Sequence, residues 1–411
     1  MTSPDPPVPE VLMEPARSPR LQLPLLVGVL VGITLACAYG FTLAPTIWAG
    51  DAGELITAAY GLGVPHAPGY PLWTMLGYVF SHLPIGPDPA WRLNFMTALF
   101  AWGACLLVYK LLLGRGLNPI WAGVVVLGLG VGRTFWANAV VAEVYSLNVL
   151  LLPWFWLLLA ADLEAKRFRW STWLVAGLAC TAHQTSAVAA FVGLWALTQE
   201  LPGAARARAA IRGIVGILAA CTLYLYTFIA AQRDPLLVFG DLDTLGDWLL
   251  FTLLPAGRQV SEGTTFDHLA YFGELLFGSL SRPSELGLLP AILGLTGLAV
   301  HLRRRPPDPV HRCWAVTAVL YVLLFWVALR PSFVSLPKLD PYYLPAWVLF
   351  WLLVPEGYHA ILAALESTPQ RSRLRPLVRP VLQLLVVLAA IVGGVLSADA
   401  NNRAGDTLVR E

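Results

Sequence analysis

The feature that most constrains this chain is the recurrence, from end to end, of apolar runs about 18 or more residues long. A run of that length with few charges is long enough to cross the hydrocarbon core of a bilayer as a helix. No water reaches that core, so a span has to satisfy its own backbone hydrogen bonds, and the α-helix does so. The expected fold is therefore an all-α polytopic membrane protein. Composition agrees. Hydrophobic residues make up 57% of the 411 residues and charged residues only 13%, against about 25% charged in a soluble domain. Mean hydropathy is +0.66. A net charge of +2 gives no footing for a nucleic-acid partner. The five cysteines (Cys37, Cys105, Cys180, Cys221, Cys313) lie inside apolar runs without CxxC spacing, so they read as small packing residues. Arginine outnumbers lysine, as in a GC-rich bacterial genome.

Residues 1–20, rich in proline and charge, are expected to be a disordered cytoplasmic tail, and 21–400 the membrane domain. Spans are expected near 22–43, 93–113, 119–136, 144–160, 209–231, 284–300, 312–330, 341–355 and 379–397. The stretch 171–199 lies between two basic clusters, Lys166–Arg169 and Arg206–Arg208. The positive-inside rule places both clusters in the cytoplasm, which one crossing would not allow. Two short helices turning near Thr181-Ala-His183-Gln184 satisfy the rule and bring the total to about 11 membrane segments. Lys110 with Arg115, Arg303–Arg305 and Arg371–Arg379 then fall inside as well. The outer face collects loop 44–84 with a short interfacial helix at 73–83, the turn 133–143, the tip at His183, the loop 232–283, segment 330–341 and the tail 401–411. Loop 232–283 is expected to be a membrane-surface cap. No short-period repeat is found.

The unusual polar residues gather in those outer segments. Trp48-Ala-Gly-Asp51-Ala-Gly-Glu54-Leu is followed by Pro65-His66-Ala-Pro-Gly-Tyr70-Pro71. Charged groups near a bilayer are costly and tend to be functional. A group transfer onto a hydroxyl needs a base within hydrogen-bond reach. Asp51 is the first candidate, with Glu54 as its partner or as the base itself. The plain structural alternative is that Asp51 caps a helix starting at Ala52 while Glu54 completes a capping box. His66 sits in a rigid proline-rich turn that aims it at a sugar or phosphate, or holds it in local bonding. Glu143 and Asn148, in Ala142-Glu-Val-Tyr-Ser-Leu-Asn148, lie at the outer end of a span, and Arg133 is the nearest ion-pair candidate for Glu143. His183 and Gln184 sit at the tip of the short hairpin. Arg233, with Arg258, Arg330 and Lys338, supplies outer cations for a lipid phosphate, or interfacial anchors. Tyr342 and Tyr343, in Asp340-Pro-Tyr342-Tyr343-Leu-Pro345, suit stacking on a sugar ring or an interfacial belt, and Tyr70 in the His66 turn is a further substrate-binding candidate. No P-loop, Rossmann fingerprint, HExxH or zinc spacing appears, which speaks against nucleotide chemistry in the cytoplasm.

Asp51-Ala-Gly-Glu54-Leu, His66-Ala-Pro-Gly-Tyr-Pro71, Trp91-Arg-Leu-Asn94, Ala142-Glu-Val-Tyr-Ser-Leu-Asn148 and the Arg233-Asp-Pro235 region resemble the transmembrane protein 260 family over roughly residues 25–350. The resemblance implies a GT-C membrane glycosyltransferase fold with short interfacial helices in its outer loops. It also implies an inverting transfer of a sugar, mannose in the animal members, from a polyprenyl-phosphate donor to a protein or glycan hydroxyl, with Asp51 as base. No metal or other cofactor is expected to be obligatory. The family's DSGE and HPPGYP read DAGE and HAPGYP here, changes that keep both acids and the histidine. A lipid or solute transporter remains the rival, because broken helices and intramembrane acids also mark transporters. A non-catalytic assembly subunit is the third reading.

Overall fold

The computed structural model describes residues 19–253, 265–277, 287–303, 308–324, 340–366 and 375–405. Seventeen α-helices are found among them: α1 (Pro19–Thr42), α2 (Ala52–Tyr60), α3 (Pro71–Ser81), α4 (Pro89–Gly114), α5 (Pro119–Gly130), α6 (Arg133–Ala139), α7 (Tyr145–Glu164), α8 (Trp170–Ala182), α9 (Ala187–Glu200), α10 (Gly203–Cys221), α11 (Leu225–Ala231), α12 (Leu245–Leu253), α13 (Thr265–Phe277), α14 (Leu288–Arg303), α15 (Pro309–Leu324), α16 (Leu344–Glu366) and α17 (Arg375–Asn401). Among the described residues the extended pairing is a single isolated bridge, Val64 with Val238.

Local chemistry explains where the helices start. Asp88 caps α4 by accepting from Trp91 N, and Asn118 caps α5 by accepting from Ile120 N. Each is followed by proline at the first helical position, where a missing N–H costs nothing.

Each of the 11 expected segments is helical where described, but the crossing count does not follow. Among the described residues six helices are long and apolar enough to span a bilayer. The α5–α6 pair, bent by 71° at Val131-Gly132, makes a seventh if it is taken as one broken span and none if it is a re-entrant loop. Helices α14 and α15 are apolar but shorter, and α8 and α9 have 13 and 14 residues. The sequence pattern counts apolar runs; it does not measure the bends and breaks that shorten them.

The 171–199 hairpin is present. Lys166 Nζ lies 3.2 Å from Glu200 Oε2, so its two ends lie together. A straight 30-residue helix would hold them about 45 Å apart. The same face carries Arg115, which pairs with Glu164 at 2.5 Å and Asp308 at 2.7 Å. Asp162 is fully buried beneath it and satisfied by Arg169 Nε and by Thr172 Oγ1 at 2.7 Å. The basic residues of this face are thus fixed by acids from other helices.

Close approach of small residues builds the centre of the bundle. A Cβ on Gly297 would stand 2.2 Å from Leu353 O, and one on Gly357 would stand 1.9 Å from Leu293 O. Helices α14 and α16 therefore meet backbone to backbone, the packing that membrane helices use in place of a hydrophobic driving force. Trp351, Trp347 and Phe350 fill the adjoining core.

On the opposite face the loops are tied to the bundle. Asn94 Nδ2 donates to Ala44 O and Thr46 O, both at 2.9 Å. Trp136 Nε1 donates to Thr42 Oγ1 at 2.8 Å, and Ala44 N donates to Val140 O at 3.0 Å. The chain's other end returns here: Asn401 Nδ2 donates to Arg133 O, and the Arg403 guanidinium lies 4.2 Å from the centre of the Trp48 ring. The last described residues thus share the face of the first loop.

The second large loop clasps the first. Val64 N donates to Leu237 O at 2.9 Å, Phe239 N donates to Val64 O at 2.8 Å, and Tyr226 Oη donates to Gly63 O at 3.0 Å. A Cβ on Gly63 would stand 2.2 Å from Leu237 O. Gly63→Ala is therefore expected to open this clasp and destabilise the protein by roughly 1–3 kcal/mol, the range for forced backbone strain. A thermal scan in detergent checks it; an unchanged transition would show that the clasp carries no weight.

Candidate active site

Loop 44–72 places its chemistry at the start of α2 and in the turn before α3. Asp51 occupies the N-cap position of α2, with φ −81° and ψ −6°, but its side chain makes no capping hydrogen bond. The capping-box alternative fails at Glu54 too. That carboxylate turns to His66 instead, accepting from His66 N and lying 3.0 Å from Nδ1. The Asp51 side chain stays 59% exposed.

The turn Pro65–Tyr70 aims the imidazole. Gly69 N donates to His66 O at 2.8 Å, and Gly69 adopts φ +89°. Tyr70 follows at φ 37° and ψ 57°, a left-handed conformation unusual for a residue with a side chain. It places the buried Tyr70 hydroxyl 3.2 Å from His66 Nε2. The same Nε2 lies 3.9 Å from Asp51 Oδ2. His66 thus meets Glu54 with one ring nitrogen, and Tyr70 and Asp51 with the other.

A ring of aromatic groups closes the far side. His183, 6% exposed, is flanked by Tyr70, Tyr145 and Tyr342 with centroid distances of 6.2, 5.4 and 5.2 Å. Its Nδ1 lies 2.7 Å from Thr185 Oγ1. Tyr145 opens α7 and sits 5.4 Å from Tyr342. Sequence reasoning missed Tyr145, although the motif contains it; its place as the first residue of a span, two after Glu143, is the signal that could have found it. Phe239, 6.2 Å from the His66 ring, was also missed, because a long chain separation hides that contact.

Electrostatics set the three acids apart. Burial works to raise the Glu54 carboxyl, but the side-chain and backbone hydrogen bonds of His66 bring it below its ordinary value. Burial works against the charge of His66, but the hydrogen bond and charge of Glu54, then the charges of Asp51 and Glu143, raise its pKa. Glu143, in the loop between α6 and α7, is pushed up to about 8, first by burial and then by the nearby charge of Asp51, with His66 opposing. Burial and the proximity of His66 hold His183 down to about 4, so at neutral pH it is an uncharged ring.

Asp51, Glu54, His66, Tyr70, Glu143, His183 and Tyr342 thus converge. The other expected residues take different places. Among the described residues no ion pair joins Glu143 to Arg133, whose carbonyl instead receives Asn401. Asn148 is buried and accepts from Ser186 Oγ at 2.5 Å, and Gln184 Nε2 donates to Thr252 O. These two fix the hairpin tip and the second loop. Arg233 is exposed just beyond α11, within electrostatic reach of Tyr226 at the clasp, and makes no hydrogen bond or ion pair to the Asp51 group among the described residues. Arg258, Arg330 and Lys338 lie outside the described residues.

This helical membrane bundle, with its site on a first loop clasped by a second, has the fold of the GT-C glycosyltransferases. Its architecture matches ArnT from Cupriavidus metallidurans in the apo state with a TM-score of 0.58 at 14% identity, covering 92% of this chain and 76% of that one. The undecaprenyl-phosphate-bound structure of the same protein gives 0.56 at 13%, covering 95% and 77%. The arabinosyltransferase EmbB from Mycobacterium smegmatis gives 0.54 at 11%, covering 95% and 42%. Residues 51–200 match the family model described as the protein O-mannosyl-transferase TMEM260 N-terminal domain. Curated proteins similar to this chain include the TMEM260 protein of Dictyostelium discoideum, 33% identical over 153 residues, and that of mouse, 40% identical over 126 residues. These alignments cover 35% and 30% of this chain but only 19% and 18% of the relatives' lengths.

Proposed function

We propose that this integral, multi-pass membrane protein is an inverting glycosyltransferase. It moves a sugar, mannose by the precedent of the TMEM260 relatives, from a polyprenyl-phosphate donor to a hydroxyl of a protein or glycan. The observation that carries the reading is the pairing of an exposed, uncapped Asp51 carboxylate with a locked Glu54–His66 pair at the mouth of a GT-C bundle.

The acceptor O–H approaches the anomeric carbon from the Asp51 side. The acceptor oxygen bonds to that carbon, the carbon–phosphate oxygen bond breaks with its electron pair, and polyprenyl phosphate departs. Asp51 takes the acceptor proton. A phosphate leaves without being protonated, so no second carboxyl is needed as acid. Glu54 acts as a positioning residue that fixes His66. His66, whose charged form Glu54 and Asp51 favour, then stands between the two acids. Tyr145, Tyr342 and neutral His183 form a floor for the sugar ring. Arg233, at the clasp, meets the departing phosphate. Arg115, Lys166 and Arg169 lie on the opposite face, and by the positive-inside rule this supports a site on the outer side of the membrane, the periplasmic side of a bacterial inner membrane. The lipid precedent is ArnT, whose solved structure holds undecaprenyl phosphate.

The test is release of polyprenyl phosphate by the purified protein in nanodiscs, using a panel of polyprenyl-phosphate sugars with hydroxyl acceptors. One donor is expected to turn over, with one phosphate released per sugar transferred. Absence of both turnover and saturable donor binding would sink the reading and favour transport.

A further inference from the structure

A second cluster of reactive side chains lies on the opposite face. His301 sits in the last turn of α14, His311 in the first turn of α15, and Glu356 in the second half of α16. At about 1.5 Å per residue, Glu356 is about 20 Å along the helix from Tyr342. His301 Nε2 lies 3.2 Å from Glu356 Oε2, and His311 Nε2 lies 3.4 Å from Oε1. The two imidazoles stack with centroids 4.7 Å apart and planes within 9°, so both Nε2 atoms face the carboxylate. One donor atom from each of the three residues lies within 4.8 Å of the others.

We propose that His301, His311 and Glu356 bind one divalent transition-metal ion, with zinc the best suited. Two imidazoles and a carboxylate are a zinc donor set that leaves a fourth position for water. Zinc bonds of about 2.0–2.2 Å in a tetrahedron put neighbouring donors about 3.3–3.5 Å apart. The observed 3.2 and 3.4 Å, made to the two different oxygens of Glu356, lie near that edge, and the three donors, now within 4.8 Å of one another, would draw slightly closer around the ion.

Two further observations point to a ligand. His301 is 1% exposed, and among the described residues neither ring nitrogen makes a well-aligned hydrogen bond, its Nε2 meeting only the Glu356 carboxylate. A buried imidazole so weakly satisfied is costly, and an ion at Nε2 removes part of that cost. His311 has the support expected of a metal ligand. Its Nδ1 lies 3.0 Å from Asp308 Oδ1, and the other Asp308 oxygen accepts from Arg115 Nη2 at 2.7 Å. A carboxylate behind a histidine fixes which nitrogen faces the metal.

The ion would join α14, α15 and α16, and through Asp308 and Arg115 it would reach the end of α7 at Glu164. It would brace the inner end of the helix whose outer approach carries Tyr342. Its role is structural, and it does not depend on the transferase reading. The two sites are separable by donor geometry. At the first site Glu54 meets Nδ1 of His66 while Asp51 is nearest Nε2, so no single set of donor atoms from the three faces one point; among the described residues the inner cluster is the group of three whose donor atoms do.

The experiment uses the full chain in detergent, stripped with a chelator and then given ZnCl₂ or CoCl₂. One equivalent of zinc per chain is expected by elemental analysis after gel filtration, with the intense visible bands of four-coordinate Co(II). Zinc should raise the melting temperature of the unaltered protein. Asp308→Asn should weaken binding about 10-fold or more. His301→Gln and Glu356→Gln should abolish it, and His66→Gln should leave it in place. Less than a tenth of an equivalent in the unaltered chain would overturn the site in favour of a hydrogen-bonded histidine–glutamate cluster. So would retention of zinc by a monodisperse His301→Gln protein, or its loss in His66→Gln. Should the variants not fold, the cobalt spectrum of the unaltered chain decides, since only weak six-coordinate bands would also overturn it.

Discussion

Asp51→Asn is expected to lower the rate of sugar transfer by about 10²–10⁴-fold, the range for removing a general base, while the protein stays folded. Three observations support this. The Asp51 side chain is 59% exposed and makes no capping hydrogen bond, so its oxygens are available to an acceptor. Asparagine matches its shape and can still hold the N-cap position, so helix α2 should persist. Its nearest charged neighbour, His66 Nε2 at 3.9 Å, would keep Tyr70 and Glu54 as partners. Glu54→Gln provides the contrast. Glu54 is already engaged by His66 through backbone and ring, so it orients rather than abstracts. Its loss should be smaller, about 10-fold, and should shift the pH profile by freeing His66. Donor binding measured alongside turnover separates the cases, since Asp51→Asn should lower kcat with little change in donor affinity. Equal loss in both variants, or full activity in Asp51→Asn, would remove Asp51 from the role of base.

Much of this was legible because membrane insertion and membrane-face chemistry leave local marks. Apolar runs gave the helices. The two basic clusters flanking 171–199 gave the hairpin, which the Lys166–Glu200 pair makes tangible. Asp51, Glu54 and His66 share one loop, and their short spacing made them a visible group. What was hidden depends on distant contacts. The Val64–Val238 bridge joins segments more than 170 residues apart, and nothing in either stretch names the other. The Glu143–Arg133 pairing was reasoned from nearness in sequence, but the bend at Val131-Gly132 directs α6 elsewhere and leaves Glu143 facing Asp51 and His66. Asn148 and Gln184 were singled out for their place at the outer end of a span and at the hairpin tip, and their contacts to Ser186 and to Thr252 O, 38 and 68 residues away, were not legible in the sequence. His301, His311 and Glu356 come from three helices, with no motif spacing to reveal them.

The second large effect is expected in alkali. Glu143 has a folded pKa of about 8 against an ordinary 4.5, so between those values the folded protein holds a proton that the unfolded chain has lost. Stability therefore falls as pH rises through that window. His66 acts in the same direction. Its pKa is raised above 6.5, so its contribution is full below 6.5 and is lost as pH rises through the folded value. Glu54 acts at the acid end. Its pKa is lowered below 4.5, so its contribution is present above 4.5 and is lost as pH falls through the folded value. The first loop should thus be most secure in mildly acidic solution and lose stability progressively as pH rises to about 8, above which Glu143 takes nothing further away. Glu143→Gln removes the largest of these penalties. It should raise the melting temperature at pH 9 by on the order of 2–4 °C, with a smaller gain at pH 6, where only part of the 4.5-to-8 window has been crossed; partial exposure of Glu143 keeps the gain modest. Transfer should follow the same logic. In the unaltered protein the rate should fall above pH about 8, as a second negative charge appears beside Asp51 and crowds the departing phosphate. Glu143→Gln should extend the plateau into alkali while keeping most of the activity at pH 7, because glutamine mimics the neutral carboxyl. Should the alkaline limb stay put in the variant, the titrating group is another one, and His66, whose pKa is also raised from 6.5, becomes its source.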